Sequence, residues 1–270
     1  MSKFKIPTKL SKERKHYTLY LGDCVEEMLK IPSESVDLVV TSPPYDDLRD
    51  YNNSIDYTTL IKELYRVLKK GGVVVWNVND KIDKGTKSLS SFKQALMFKD
   101  LGFLVNDVMI WEKTNPMPQV RQPRYNQVFE YMFVFSKGKP KTFNPIMVDC
   151  KSAGSSYKST CKKITKGKDR EYKELVINKQ KVDNNIWRFA VAQNKTSHTA
   201  VFPLELPLRH IQTWTNENDV VLDPFVGSGT TGIACIELKR KFIGIELDPE
   251  YYELSDSRMK QHLRERGYIV

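Results

Sequence analysis

The chain contains 270 residues, which is enough for one large domain or for a domain with a substantial insertion. A hydrophobic share of 40% and an aromatic share of 11% exclude an intrinsically disordered chain. Forty-three lysines and arginines against 33 acids leave a net charge of +10, which favours a polyanionic partner such as a nucleic acid.

The remaining composition disfavours several further classes. No apolar run approaches the roughly 20 residues that a membrane-spanning helix needs, and the basic N-terminus lacks the apolar core of a secretory signal. The cysteines form no CxxC pair and the four histidines are dispersed, so we predict no metal site. We therefore expect a soluble cytoplasmic protein with free thiols and no membrane partner.

Short β-branched runs alternate with amphipathic segments along the chain, which predicts a mainly parallel sheet covered by helices on both faces. The predicted strands are Thr18–Leu21, Val36–Thr41, Val73–Val78, Val105–Trp111, Phe129–Phe135, Val220–Leu222 and Phe242–Glu246. The predicted helices are Tyr57–Lys69, which Gly71 and Gly72 end, and Ser91–Leu101, Leu204–Trp214, Thr231–Lys239 and Glu250–Arg264. The fourth and fifth strands have no helix between them, so we expect them to pair antiparallel.

Residues 137–195 break this alternation. The part from 137 to 181 holds thirteen lysines and arginines against four acids, and the stretch is rich in Ser, Thr, Asn and Gly. We interpret it as a basic insertion that divides the chain into residues 1–136, 137–195 and 196–270. A solvated loop without a binding role is the alternative.

Residues 220–232, VVLDPFVGSGTTG, form the first of two motifs that carry chemistry. An apolar strand runs into a glycine turn and then a helix, where backbone N–H groups approach a ligand closely. Glu246 ends a following strand about 20 residues later, where a ribose hydroxyl would be bound. The motif indicates an adenosine-containing cofactor, or else a structural turn. Asp223 would repel a pyrophosphate but could bind an amino group, which disfavours a nicotinamide cofactor.

The second motif is DLVVTSPPY at residues 37–45. A buried strand ends in two prolines, which leave carbonyl groups without partners in a strand ladder. Ser42, the freed carbonyls and Tyr45 together suit a base flipped out of a duplex, because they offer acceptors for its amino hydrogens and a ring to stack on its face. A rigid turn with a packing tyrosine is the alternative.

The two motifs, in this order, resemble those of the β-class DNA amino-methyltransferases of restriction–modification systems. The resemblance extends over most of residues 18–260 and includes Leu21-Gly22-Asp23, the segment from His198 to Pro203, and the strand from Phe242 to Asp248. It implies a Rossmann-like α/β fold: a seven-stranded S-adenosylmethionine-dependent methyltransferase sheet, circularly permuted, with an inserted target-recognition region at residues 137–195.

The resemblance also implies roles for individual residues. Ser42, Pro43, Pro44 and Tyr45 would hold the target base. The cofactor S-adenosylmethionine would lie against Phe202, Phe225, Gly227, Gly229 and Thr230, with Asp23 at its adenine, Glu246 at its ribose and Asp223 near its amino group. Asp23 could instead cap a helix that begins near Cys24, and Phe202 could belong to the core. A side chain placed on Gly229 should enter the space of the cofactor.

Double-stranded DNA is the expected substrate. The candidate DNA-binding residues are Arg121, Arg124, Lys162, Lys163, Lys166 and Lys168. A homodimer and a companion restriction endonuclease that acts separately are compatible with the resemblance, as is an origin in a prokaryote or a phage.

We expect the enzyme to place an exocyclic amino nitrogen in line with the sulfonium methyl group, with Ser42 and the Pro43 carbonyl accepting its two hydrogens. In the family that the sequence resembles, serine at the position of Ser42 goes mostly with cytosine N4, so the resemblance favours that target. Adenine N6 is the nearest alternative. A methyltransferase for RNA or protein, a catalytically inactive DNA-binding protein on the same scaffold, and a nicotinamide oxidoreductase are more distant ones.

Overall fold

The computed structural model describes residues 11–13, 15–44, 55–116, 123–160, 172–191 and 202–268. It divides the chain into two compact units, one formed by Met1–Asn144 with Asn185–Val270 and the other by Pro145–Asn184. Among the described helices, none is both long enough and apolar enough to span a membrane.

The described residues form six helices and fifteen strands. The helices are α1 (Cys24–Met28), α2 (Tyr57–Val67), α3 (Ser90–Asp100), α4 (Glu205–Trp214), α5 (Thr230–Glu237) and α6 (Pro249–Glu265). The strands are β1 (Ser11–Glu13), β2 (Tyr17–Leu21), β3 (Val36–Thr41), β4 (Leu68–Val78), β5 (Ile82–Asp83), β6 (Thr86–Lys87), β7 (Leu104–Lys113), β8 (Phe129–Ser136), β9 (Met147–Asp149), β10 (Ser156–Thr160), β11 (Tyr172–Val176), β12 (Gln180–Val182), β13 (Ile186–Phe189), β14 (Val220–Asp223) and β15 (Lys241–Glu246).

The first unit is built on one sheet of nine strands in the order β1-β2-β15-β14-β3-β4-β8-β7-β13. Strands β2, β15, β14, β3 and β4 run parallel, and β8 pairs antiparallel with both β4 and β7. All seven predicted strands are confirmed, as is the antiparallel pair. Strands β1 and β13 extend the sheet at its two edges.

The central strands are apolar on both faces because helices cover both. Val74 and Trp76 of β4 belong to a core cluster with residues of α1, α2 and α3. Val73 and Val75 are equally buried and, since side chains alternate along a strand, they point to the opposite face. Continuous apolar runs of this kind are typical of a parallel sheet between two helical layers.

The order of the strands opens a crevice between β14 and β3. From β14 the chain crosses through α5 to β15 on one side, whereas from β3 it crosses through α2 to β4 on the other. In open parallel sheets, ligands bind where the direction of the crossovers reverses, at the carboxyl ends of the strands. Both sequence motifs follow strands that end at this edge.

One predicted boundary is wrong. Helix α2 ends at Val67 and β4 begins at the next residue, so Gly71 and Gly72 lie inside the strand. A Cβ atom on Gly72 would lie 2.8 Å from Leu68 Cγ and 3.0 Å from the Asp37 carbonyl oxygen. Gly72 therefore allows β4 to pass closely along β3, where the register of the pair shifts.

The described residues of the second unit form two separate two-stranded antiparallel sheets, β9 with β12 and β10 with β11. Its residue range, Pro145–Asn184, is shorter than the predicted insertion at residues 137–195. Residues 137–144 belong to the first unit, and β13 pairs in parallel with β7 of the large sheet. Trp187 explains why β13 belongs to the large sheet. Its side chain is buried there, and the centroids of its ring and of the His210 ring lie 4.6 Å apart.

Candidate active site

The glycine loop connects β14 to α5 and turns on two glycines with positive φ, Gly227 at +52° and Gly229 at +84°. Gly229 is the N-cap residue of α5, so the loop leads to a helix N-terminus with unpaired backbone N–H groups. Arg258 of α6 donates from Nη1 to the carbonyl oxygen of Ser228, which ties the loop to α6.

The two glycines face different surroundings. A Cβ atom on Gly229 would lie 3.0 Å from Ser255 Cβ of α6, whereas the nearest atom to a Cβ on Gly227 is the Phe225 carbonyl oxygen at 4.0 Å. The prediction that a side chain on Gly229 enters the ligand space is therefore wrong, since it would strike α6. The open space lies beside Gly227.

Glu246 ends β15 with a buried carboxylate that reaches the glycine loop. Its Oε2 accepts the Gly227 N–H at 2.7 Å, and its Oε1 accepts the Asp248 N–H at 3.0 Å. Burial raises the pKa of Glu246, and these two backbone donors oppose the rise. A carboxylate has about four acceptor sites, so capacity for ligand hydroxyl groups remains.

Asp23 follows β2, the neighbour of β15 in the sheet. Its Oδ1 accepts the N–H groups of Val25 and Glu26 at 2.8 and 3.2 Å, so it caps α1. The helix-cap alternative left open by the sequence is therefore present in the structure. The Gly22 N–H donates to the Glu246 carbonyl oxygen at 2.9 Å, so Asp23 and Glu246 lie at the same corner of the sheet.

Asp223, at the end of β14, is 1% exposed and accepts three hydrogen bonds. Thr41 Oγ1 and the Phe225 N–H donate to its Oδ1 at 2.6 and 3.0 Å, and Thr231 Oγ1 donates to its Oδ2 at 2.7 Å. Burial raises the pKa of Asp223, and these three donors oppose the rise. The carboxylate thus connects β3, β14 and α5 at the crevice.

The catalytic motif, Ser42-Pro43-Pro44-Tyr45, directly follows β3. Pro43 is buried, and Ser42 and Pro44 are partly buried at the carboxyl edge of the sheet. The carbonyl oxygen of Pro44 accepts the Tyr57 hydroxyl at 3.2 Å, which ties the motif to α2. Tyr45 lies outside the described residues.

The other predicted cofactor residues lie on the glycine loop, at the start of α5 and before α4. Thr230 is buried in the first turn of α5, and Phe225 is partly buried and packs against the core cluster. Phe202 is partly buried just before α4. The structure thus places the predicted cofactor residues on the loops after β2, β14 and β15 and on the segment that leads into α4.

The predicted DNA-binding residues are only partly described. Arg124 is partly buried and donates from Nη2 to the Gly85 carbonyl oxygen at 2.6 Å, in the turn between β5 and β6. Arg121, Lys162, Lys163, Lys166 and Lys168 lie outside the described residues.

Sequence reasoning missed Thr41 and Thr231, the two hydroxyl donors to Asp223. Thr41 is 182 residues from Asp223, so no motif spacing connects them. Both threonines stand inside the two motifs, Thr41 directly before Ser42 and Thr231 two residues after Gly229, but neither motif marks them as partners of Asp223.

The corner suits an adenosine-containing cofactor with a cationic amino-acid tail. The open space beside Gly227 adjoins the Glu246 carboxylate, and Asp23 and Asp223 lie at the ends of the two strands on either side of β15. Three carboxylates would repel the pyrophosphate of a nicotinamide cofactor. They match hydroxyl and amino groups as hydrogen-bond acceptors.

Comparisons with known proteins agree with this site. A family model described as DNA methylase matches residues 36–257. The orphan methyltransferase M.BamHII of Bacillus amyloliquefaciens is 44% identical over 256 residues, which cover 90% of this chain and 92% of that protein. The DNA adenine methyltransferase YhdJ of Escherichia coli (strain K12) is 30% identical over 274 residues, which cover 94% of this chain and 85% of that protein.

A solved structure extends the similarity to the cofactor. The putative DNA modification methylase TTHA0409 of Thermus thermophilus, complexed with S-adenosyl-L-methionine, superposes with a TM-score of 0.62 at 26% identity and covers 92% of this chain and 96% of that one. The family match spans both motifs and the strands that carry them. The chain therefore belongs to the DNA methylase family and is a β-class, S-adenosylmethionine-dependent DNA methyltransferase.

Proposed function

We propose that the protein transfers a methyl group from S-adenosylmethionine to N4 of a cytosine that is flipped out of double-stranded DNA. One observation carries the proposal. Ser42 and Pro43 follow β3, the glycine loop follows β14, and the Thr41–Asp223 hydrogen bond joins these two strand ends at 2.6 Å. A nucleophile held by the first motif and a cofactor held by the second would therefore meet in one crevice.

The cofactor residues take the roles that their positions support. Glu246 has acceptor capacity for the ribose hydroxyls, and Asp23, which caps α1, lies at the same corner for the adenine. Asp223 has one remaining acceptor site on Oδ2 for the cofactor's amino group. Phe202, Phe225, Gly227, Gly229 and Thr230 complete the proposed pocket.

The bound cofactor supplies a methyl group that its sulfonium centre has already activated. The protein's part is to hold the amino nitrogen in line with that group and to exclude water. Ser42 Oγ and the Pro43 carbonyl oxygen are the proposed acceptors for the two amino hydrogens, which favours a pyramidal nitrogen with a free lone pair. Tyr45 is proposed to stack on the flipped base, which contributes about 1–3 kcal/mol.

The choice of base rests on Ser42. In the family that the sequence resembles, serine at this position accompanies mostly cytosine N4, and a neutral hydroxyl acceptor suits the slightly more acidic amino group of cytosine. Adenine N6 is the second candidate, because a relative at 30% identity is named as a DNA adenine methyltransferase.

DNA recognition is proposed for residues 137–195, which include the second unit, together with Arg121 and Arg124. Lys158, Lys179 and Lys181 are exposed on that unit, where they suit contacts with phosphates. We further propose that the enzyme acts in the cytoplasm of a prokaryotic cell, where its DNA lies. A homodimer and a separate companion endonuclease are proposed on the family resemblance alone.

Sequencing of DNA from cells that express the protein, with detection of modified bases, tests this proposal. The expected result is N4-methylcytosine at one short sequence, at a lower level in cells that express Ser42→Ala. N6-methyladenine at such a sequence would transfer the assignment to the second candidate. The absence of any modified amino group would contradict methyl transfer altogether.

A further inference from the structure

We infer that Thr41 is a positioning residue for methyl transfer, which fixes the catalytic motif to the cofactor loop through the buried carboxylate of Asp223. This inference rests on the proposed role of Ser42 and Pro43. It adds a residue that is not among the predicted catalytic or cofactor-binding residues. Thr41 is completely buried and is the last residue of β3, directly before Ser42.

The backbone alone connects these two strands only weakly at the crevice. The register between β14 and β3 consists of two residue pairs, Val221 with Leu38 and Leu222 with Val39. On its other side, β3 remains paired with β4 as far as Thr41, which lies opposite Trp76. The hydrogen bond from Thr41 to Asp223 therefore joins β3 and β14 beyond the end of their ladder, at the edge where the crevice opens.

Asp223 also fixes both ends of the glycine loop. Its Oδ1 accepts the Phe225 N–H at the start of the loop, and its Oδ2 accepts Thr231 Oγ1 in the first turn of the following helix. A shift of Asp223 relative to Thr41 would thus move the cofactor loop and the catalytic motif apart. Displacements of about 1 Å between reacting groups can slow a reaction by about a hundredfold.

The arrangement contains its own control. Thr41 and Thr231 each donate one hydroxyl hydrogen bond to the same carboxylate, at 2.6 and 2.7 Å, and both are at most 1% exposed. Replacing either with valine removes one donor from one buried carboxylate and preserves the volume of the side chain. Only Thr41→Val also breaks the hydrogen bond between Asp223 and the end of β3, directly before Ser42.

The test measures single-turnover methyl transfer from radiolabelled S-adenosylmethionine to unmethylated plasmid DNA, with the enzyme in excess and cofactor affinity measured separately by calorimetry. Both valine variants should lower the melting temperature by similar amounts. Thr41→Val should slow the methyl-transfer step at least about tenfold more than Thr231→Val, with cofactor affinity within about threefold of the wild type. Thr41→Ser, which retains the hydroxyl, should restore most of the rate.

Equal slowing by the two valine variants would overturn the inference, as would a Thr41→Ser variant as slow as Thr41→Val. If Thr41→Val does not fold, Thr41→Cys keeps the volume and a weak donor, and it should transfer measurably but more slowly than Thr41→Ser. A Thr41→Cys rate equal to the wild-type rate would contradict the inference. If the wild-type protein itself transfers no methyl group, the proposed function fails, and the inference about Thr41 fails together with it.

Discussion

The two units of the chain bury their side chains in different ways. At the crevice of the first unit, Asp223 and Glu246 are 1% and 7% exposed, and both accept hydrogen bonds from backbone N–H groups. In the second unit, Tyr157, Val176 and Val182 are 51%, 65% and 49% exposed on strands of three to five residues.

This difference indicates which unit holds fixed geometry. Methyl transfer needs two groups held to within a fraction of an ångström, which buried carboxylates that accept several hydrogen bonds can provide. A two-stranded sheet is marginally stable by itself, so the second unit is suited to presenting side chains on a surface. We therefore assign the chemistry to the first unit and propose DNA recognition for the second. Changes in one unit should leave the function of the other intact.

The largest effect should follow from Glu246→Gln. The amide nitrogen would place a donor against one of the two backbone N–H groups that Glu246 accepts, and the charged acceptor for the ribose would be lost. We expect cofactor affinity to fall about a hundredfold in titration calorimetry. Glu250→Gln, an exposed change in the first turn of α6, is the control and should bind normally. An affinity of Glu246→Gln within about threefold of the wild type would remove Glu246 from the cofactor site.

A smaller effect, confined to DNA binding, should follow from neutralising four lysines of the insertion. Changing Lys162, Lys163, Lys166 and Lys168 to glutamine should reduce the slope of log affinity against log salt by about 3.6, since each phosphate contact contributes about 0.9. Fluorescence anisotropy with duplex DNA between about 50 and 200 mM salt measures the slope. Cofactor affinity should not change.

The matched control uses four exposed lysines of the first unit, which are Lys62, Lys70, Lys93 and Lys99. Their replacement by glutamine should leave the slope at its wild-type value. Equal slopes for the two quadruple variants would mean that the insertion does not carry the phosphate contacts.

The smallest effect concerns stability and involves His210 of α4. Burial lowers the pKa of His210 from 6.5 to about 3. The unfolded chain therefore binds a proton near pH 6.5 that the folded protein does not bind, and stability falls as the pH drops below that value. Between about pH 7.5 and 5.5, the contribution of this residue to unfolding free energy should fall by about 1.4 kcal/mol.

Urea unfolding at several pH values measures this loss. His210→Leu should flatten the pH dependence, because it removes the group whose proton binding differs between the two states. His16→Gln changes a partly exposed histidine and should leave the pH dependence in place. An unchanged pH dependence in His210→Leu would show that His210 does not cause it.

Much of the first unit could be predicted from the sequence, because short β-branched runs such as the one in β4 stand out as buried strands. Five helices were predicted from the amphipathic spacing of their apolar residues. The end of α2 was not, since Gly71 and Gly72 have the same appearance after a helix as inside a strand. Gly72 lies against Leu68 and Asp37, whereas Gly71 lies against Lys139 and Lys141, and only the folded chain shows these contacts.

The candidate site was predictable where a motif carries it and unpredictable where a long-range contact does. Ser42 and Gly227 take their predicted roles from the motifs that contain them. Thr41 stands in the same motif as Ser42, but it acquires its role from a partner 182 residues away. The sequence also does not show which way a glycine faces, so Gly229 was placed against the ligand when its neighbour is Ser255. The composition of the second unit indicated its charge but not its two separate sheets.

In our proposal, one crevice of this chain holds the cofactor methyl group in line with an amino nitrogen of a DNA base, so that the methyl group is transferred to it. The most direct measurement incubates purified protein with unmethylated DNA and S-adenosylmethionine whose methyl group carries deuterium, followed by mass spectrometry of the nucleosides. We predict deuterated N4-methylcytosine with wild-type protein and slower formation of it with Ser42→Ala. Label at cytosine C5, or unlabelled DNA after incubation with folded wild-type protein, would contradict the account.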